Sequence, residues 1–258
     1  MNCPKCNAIQ NDGNEICTDC GIVFAKYFKY NPQIESLAQP QEPLTHSNDS
    51  SVDILMIEDI SLYERIKQRI FSVADNEDPI SVVGRGLLLL GMSYLSFRLM
   101  TSTIASNYAG EIFLHTINLP FHEAGHVGFR LFGSFFASLG GTLGQLLMPA
   151  VLFYHFLLRA NNPFGGAVCF WWFGENFIDM APYINDARDG DLPLVGGNFG
   201  HSSPYGFHDW EYILNESSLL QYDKIIAKMS FMTGSIIMTL ALIWGGILLY
   251  RQFKMVNN

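Results

Sequence analysis

The chain has 258 residues, a formal charge of −9, 49% hydrophobic residues and only 15% charged residues. That charged fraction lies well below the roughly 25% of an ordinary soluble domain, and it is uneven: the first 78 residues are polar, and most of the remainder is apolar and Gly-rich. An acidic chain with no basic stripe argues against a nucleic-acid partner, because phosphate binding needs clustered Lys and Arg.

Residues 1–27 carry Cys3-x-x-Cys6 and Cys17-x-x-Cys20. Each knuckle brings two thiolates to one metal, and two knuckles complete a tetrahedron, so the segment reads as a zinc ribbon holding one structural Zn2+. A piece this small lacks the apolar core to fold alone, and the metal is expected to supply the folding energy. Thiols at ligand spacing point to a reducing compartment and hence a cytoplasmic N-terminus. No apolar leader opens the chain, so the first apolar span is expected to direct membrane insertion. Docking to a protein partner is the expected role of the ribbon.

Residues 28–78 read as a linker followed by an amphipathic helix. The Pro, Gln, Ser and Asn of 28–52 lack apolar periodicity. Over 53–74, Ile57, Ile60, Tyr63, Ile66 and Ile70 recur near helical spacing. Arg65, Lys67 and Arg69 precede the first span, where they can lie on an anionic membrane surface or form a solvated helix face.

Residues 79–258 read as an all-α polytopic body set in a lipid bilayer. A crossing needs about 20 mostly apolar residues, which gives about five transmembrane helices: 80–102, 111–134, 140–159, 163–185 and 229–250. The third begins Gly-Gly-Thr-Leu-Gly, small residues that permit close helix packing. Lys and Arg ahead of the first span favour a cytoplasmic N-terminus. Five passes would put the C-terminus outside, against the tendency of Arg251 and Lys254 to stay inside; a re-entrant segment or a sixth pass would remove the conflict.

The second span holds the chemistry. His122 and His126 stand four apart, one helical turn on one face, with Glu123 beside the first. This His-Glu-x-x-His spacing lets two imidazoles reach one zinc and places a carboxylate as general base for a bound water. Glu111, His115 and Asn118 continue the same face, as a polar path for water or protons or as solvated residues near the helix start. A catalytic zinc takes three protein ligands and keeps one open position. The third ligand is sought on the fourth span, where Glu175, Asp179 and Asp186 share a face. Depth ranks Asp179 first, Asp186 second and Glu175 third. Residues 186–228 are Gly- and Pro-rich, and His208 and Asp209 open a helix there. They form a loop able to cover the site, with His208 as a ligand or oxyanion donor, or with Asp209 as a plain helix cap.

The segment Phe-His-Glu-Ala-Gly-His-Val-Gly-Phe-Arg-Leu-Phe-Gly at 121–133, with an acidic span after it, resembles the site-2 protease family of integral-membrane zinc metalloproteases. The resemblance covers about residues 111–190. It implies His122 and His126 as ligands, Glu123 as base and an aspartate of the fourth span as third ligand. Asn176, Pro182 and Asp186 echo the family's Asn-x-x-Pro…Leu-Asp-Gly segment, although Ala187 follows Asp186 and no Leu-Asp-Gly occurs. Together these readings give a zinc metallopeptidase of a bacterial inner membrane, with one catalytic and one structural Zn2+, hydrolysing a membrane protein or peptide substrate. The competing reading is a non-proteolytic metal carrier, sensor or inactive adaptor.

Overall fold

The computed structural model describes residues 3–6, 8–11, 13–30, 61–73 and 78–256. Most of the expected linker, together with the first part of the expected amphipathic helix, lies outside the described residues. The chain divides into two compact units, Met1–Glu58 and Asp59–Asn258.

In the first unit the backbone folds around its cysteines. Cys3 N–H donates to Ala8 O and Cys17 N–H to Ile22 O, each at 2.9 Å. Gly21 takes φ +70°, a left-handed turn that closes the second knuckle at low steric cost. A short helix α1 (Phe24–Tyr30) follows, and its Phe24 packs on Cys3 and Cys17.

The second unit is helical, with no strand among the described residues beyond an isolated Pro193–Phe199 bridge. Helix α2 (Leu62–Phe71) starts at Ser61, whose hydroxyl accepts from Glu64 N–H. Its last carbonyls would lack partners in an isolated helix. Here Trp244 Nε1 donates to Ile70 O at 3.0 Å and Arg251 to Phe71 O at 3.1 Å, which ties α2 to the helical body. Helix α3 (Pro79–Thr101) opens with Asp78 as cap and Pro79 in its first turn. A one-turn helix α4 (Tyr108–Glu111), α5 (Phe113–Phe129), α6 (Ser134–Tyr154) and α7 (Pro163–Asn185) come next. Helix α8 (Asp209–Glu216) and the 34-residue α9 (Asp223–Val256) complete the body.

Three helical segments are long and apolar enough to cross a membrane: Pro79–Thr101, Ser134–Arg159 and Leu220–Val256. Their outer faces carry exposed Ile80, Leu87, Phe97, Val151 and Ile236, the inside-out pattern expected of helices facing lipid. The expected second and fourth spans are different. The segment 111–134 is broken at Ile112, contains Pro120 and ends in a tight turn at Arg130–Phe132, leaving α5 with 17 residues. At 1.5 Å per residue that is about 25 Å, shorter than a hydrocarbon core of about 30 Å. Helix α7 is long but sheathed by its neighbours, and it buries a polar set, Glu175, Asn176 and Asp179, among its apolar residues.

Helix directions alternate. Gly86 lies against Leu249 and Leu89 against Gly245, so α3 and α9 are antiparallel. Gly245 meets Ala167 and Ser230 bonds Phe177 O, which makes α7 antiparallel to α9. Gly166 meets Leu157 and Phe153 meets Phe170, so α6 opposes α7. Helices α3 and α6 therefore run in opposite directions, and α5, between them in sequence, makes no net crossing. His115 of α5 bonds the last turns of α7 and His126 bonds the first turn of α6. The core of Met92, Leu99, Trp171, Ile178 and Met238 joins α3, α7 and α9, and Trp171 Nε1 donates to Ser96 Oγ at 2.7 Å within it.

Candidate metal centre

The site is built where α5 crosses α6. The two backbones meet at glycines: a Cβ on Gly125 would strike the carbonyl of Gly140, and one on Gly144 the carbonyl of Phe121. This approach sets His122 and His126 over Gly141, where a Cβ would come within 2.5 Å of His122 Nε2 and 2.7 Å of His126 Cε1. The two rings lie 4.7 Å apart.

Each ring is held by its other nitrogen. His122 Nδ1 bonds Gln145 Oε1 at 2.9 Å, and His126 Nδ1 bonds Ala137 O at 2.7 Å. Both oxygens only accept, so both Nδ1 atoms donate, and each Nε2 is left to bind a metal from the neutral ring or to donate to a carboxylate from the charged one. Those two Nε2 atoms face one oxygen, Asp209 Oδ2, at 3.2 and 3.3 Å. Protons on the rings or a metal cation can both stand between these groups. Zinc bonded to nitrogen or oxygen at about 2.0–2.1 Å gives a tetrahedral edge of about 3.3 Å, which the two Nε2–Oδ2 separations match, so His122, His126 and Asp209 could hold such an ion. Ligand atoms of His122, Glu123 and His126 also group within 4.8 Å of one another.

Asp209 is the first residue of α8, and His208 is its cap: His208 Nδ1 accepts from Glu211 N–H at 3.2 Å. Asp209 N–H donates to Tyr183 Oη at 3.0 Å, and the Tyr183 ring stacks on His208 at 4.1 Å. Burial pushes the Asp209 carboxyl up, but bonds from His122 and His126 and their charges outweigh it and hold the group below the ordinary range.

The expectation for Asp179 is not met by this geometry. Its Oδ1 pairs with His115 Nδ1 at 2.9 Å and its Oδ2 accepts from Asn118 Nδ2 at 3.1 Å. The same amide donates to Glu175 Oε2 at 3.0 Å, and Trp172 Nε1 fixes it by donating to Asn118 Oδ1 at 2.8 Å. Asp179 and Glu175 thus belong to a second polar cluster on the α5–α7 face. Asp186 is committed to the loop: it accepts from the N–H groups of Asp191 and Leu192, each at 2.9 Å, and stands 3.5 Å from His208 Nε2. Burial opposes its charge, but His208 and the two N–H groups prevail and lower its pKa. His208 caps α8, leans on Asp186 and is not among the residues lining the cavity. The sequence signals for this arrangement were the amide of Gln145 inside an apolar run and the His-Asp pair opening α8.

His122, Glu123, His126 and Asp209 line a cavity of about 380 Å3, which His115 and Asp179 also line. Its far wall is the loop Leu192–Val195, and Asn107 and Gly110 close one side. The cavity is large enough for several side chains of a peptide and mixes apolar walls with convergent polar groups.

The cysteine unit forms a separate centre. Sγ atoms of Cys3 and Cys20 lie 3.6 Å apart and those of Cys6 and Cys17 3.7 Å apart. All four group within 4.8 Å, so they could bind a metal ion. Those separations exceed a disulfide bond and match the edge of a tetrahedron with metal–sulfur bonds of about 2.3 Å, roughly 3.8 Å. Without a cation the four sulfurs cannot all ionise. Burial opposes the Cys3 thiolate, yet the N–H groups of Cys6 and Lys5 hold it at about 6. The Ala8 N–H favours the Cys6 thiolate, yet burial and the other thiols push that group up to about 12.

Compared with known proteins, the chain matches no protein-family model, and no curated protein or solved structure is similar to it.

Proposed function

We propose that residues 79–258 form an integral-membrane zinc metallopeptidase that cleaves membrane-associated polypeptides. One observation carries the reading: two imidazoles with Nδ1 tied back turn their Nε2 atoms onto a third donor, with a glutamate beside them in one cavity. His122, His126 and Asp209 would hold the ion. Zinc bound there supplies a Lewis acid and brings the pKa of water to about 7. Glu123 takes the proton of the attacking water and hands it to the leaving amine. Gln145 and the Ala137 carbonyl keep the imidazoles in the tautomer that binds metal. The ribbon would hold a second, structural zinc and serve as a protein-docking module.

We read the body as four crossings, α3, α6, α7 and α9, with α5 dipping in and returning on one side. Alternation of helix direction supports this; on this reading both ends of the body lie on one side, with Arg65, Lys67, Arg69, Arg251 and Lys254 near it. By the positive-inside tendency that side is cytoplasmic. A bacterial inner membrane is the setting this reading gives.

The test is the Glu123→Gln variant of the full chain in detergent or nanodiscs, assayed on an unfolded membrane-associated reporter polypeptide. Expected are unchanged metal content and a loss of cleavage of about 10²-fold or more. Wild-type cleavage in the variant, or none in the wild type, contradicts the peptidase reading and returns the carrier, sensor or inactive adaptor.

A further inference from the structure

One group in the cavity has no part in the hydrolysis by zinc and Glu123. His115 lines the same 380 Å3 space as Glu123, and its ring is half-buried, with a side-chain exposure of 38%. Its Nδ1 is taken by Asp179 Oδ1 at 2.9 Å. The Asp179 carboxylate beneath it is 2% exposed and cannot swing away, because Asn118 holds its other oxygen and Trp172 holds Asn118. Three side chains from two helices, Asp179, Asn118 and Trp172, thus fix the plane and direction of one imidazole. Its Nε2 has no hydrogen-bond partner among the described residues.

A structural lock between α5 and α7 would be complete without His115, since Asn118 already joins Glu175 and Asp179. The histidine adds an imidazole that lines the cavity. A buried carboxylate favours the charged ring beside it, and a charged ring fixed on Nδ1 presents Nε2–H. Preorganised donors aimed at developing negative charge are among the largest single contributions to acyl transfer.

We infer that His115, oriented by Asp179, is a second catalytic residue of this cavity, donating its Nε2–H to the carbonyl oxygen of the scissile peptide as negative charge grows there. The inference rests on the peptidase reading. In the step, the water oxygen bonds the carbonyl carbon, the carbon–nitrogen bond then breaks, and the proton taken by Glu123 goes to the amine nitrogen. His115 keeps its proton throughout. Asp179 is a positioning residue, acting only through the imidazole.

The experiment compares wild type, His115→Gln and Asp179→Asn in nanodiscs, reading kcat, KM, metal per chain and the affinity of a phosphinic peptide, an anionic mimic of the tetrahedral intermediate. Loss of one oxyanion donor costs about 10²–10³ in kcat. A kcat reduced by about that factor in His115→Gln, with KM within about twofold and metal unchanged, supports the role. Weaker phosphinate binding in the same variant, and a smaller kcat loss in Asp179→Asn, complete the expected pattern. A folded His115→Gln that retains wild-type kcat and phosphinate affinity overturns it, as does loss of metal in that variant, which would make His115 a ligand. The underlying reading fails differently: the wild type itself then shows no cleavage, or Glu123→Gln cleaves normally, and the inference falls with it.

Discussion

Asp179 and Asp209 are both buried aspartates within reach of a histidine, and their partners separate them. Asp179 has Asn118 donating to it and one imidazole at Nδ1; Asp209 has two Nε2 atoms converging on a single oxygen. Depth along the fourth span could not reveal this, because the decisive aspartate comes from a loop helix 87 residues beyond His122. His122, Glu123 and His126 were legible because helical spacing alone puts them together. Two predictions belong at this scale. Gln145→Leu leaves His122 Nδ1 without its acceptor, and metal affinity at the body site should fall about 10–100-fold, read by competition with a chelator dye. Gly141→Ala places a methyl against both imidazoles, and it should empty the same site while the helical circular dichroism is retained; full metal occupancy in that variant would contradict the close seating of both rings on α6.

Among the elements, the segment between α7 and α8 owes its shape to Asp186. One carboxylate gathers the N–H groups of Asp191 and Leu192, which start the cavity wall, and stands beside His208, which starts the helix bearing Asp209. Asp186→Ala should therefore loosen both walls, costing about 1–3 kcal/mol and lowering metal affinity although Asp186 touches no metal. Its pKa is lowered on folding, so its contribution is full above its ordinary value of 3.8 and drains as pH falls through the lower folded value. Thermal unfolding of the chelator-treated chain should show a loss of stability as pH falls below 3.8 that is smaller in Asp186→Ala. The sequence announced this segment through its Gly and Pro content but not its internal ties, because those join residues whose spacing has no helical or strand period. The break in the second span was harder to foresee: Phe113 and Leu114 follow Ile112, and Leu131 and Phe132 follow Arg130, so apolar content does not mark where the helix starts or stops.

Over the whole molecule, a thiol-bearing first segment and an apolar remainder were legible from composition, but the charge change near residue 78 does not mark the division at Glu58–Asp59, because Trp244 and Arg251 hold α2 to the body. The number of crossings was not, because a helix that lies inside the bundle and one that faces lipid can be equally apolar. Three helices are long and apolar enough to span; the rest of the path comes from which helices run antiparallel. Reporter fusions before residue 79 and after residue 256 should both report the cytoplasmic side, and opposite sides would contradict the four-crossing path. The two proposed metal centres use disjoint residues, so each should empty alone. A body site made by His122, His126 and Asp209 is tested most directly by metal analysis of the purified full chain. Two zinc ions per chain are expected in the wild type and in Asp179→Asn, and one in Asp209→Asn. One zinc in Asp179→Asn with two retained in Asp209→Asn would contradict that ligand set.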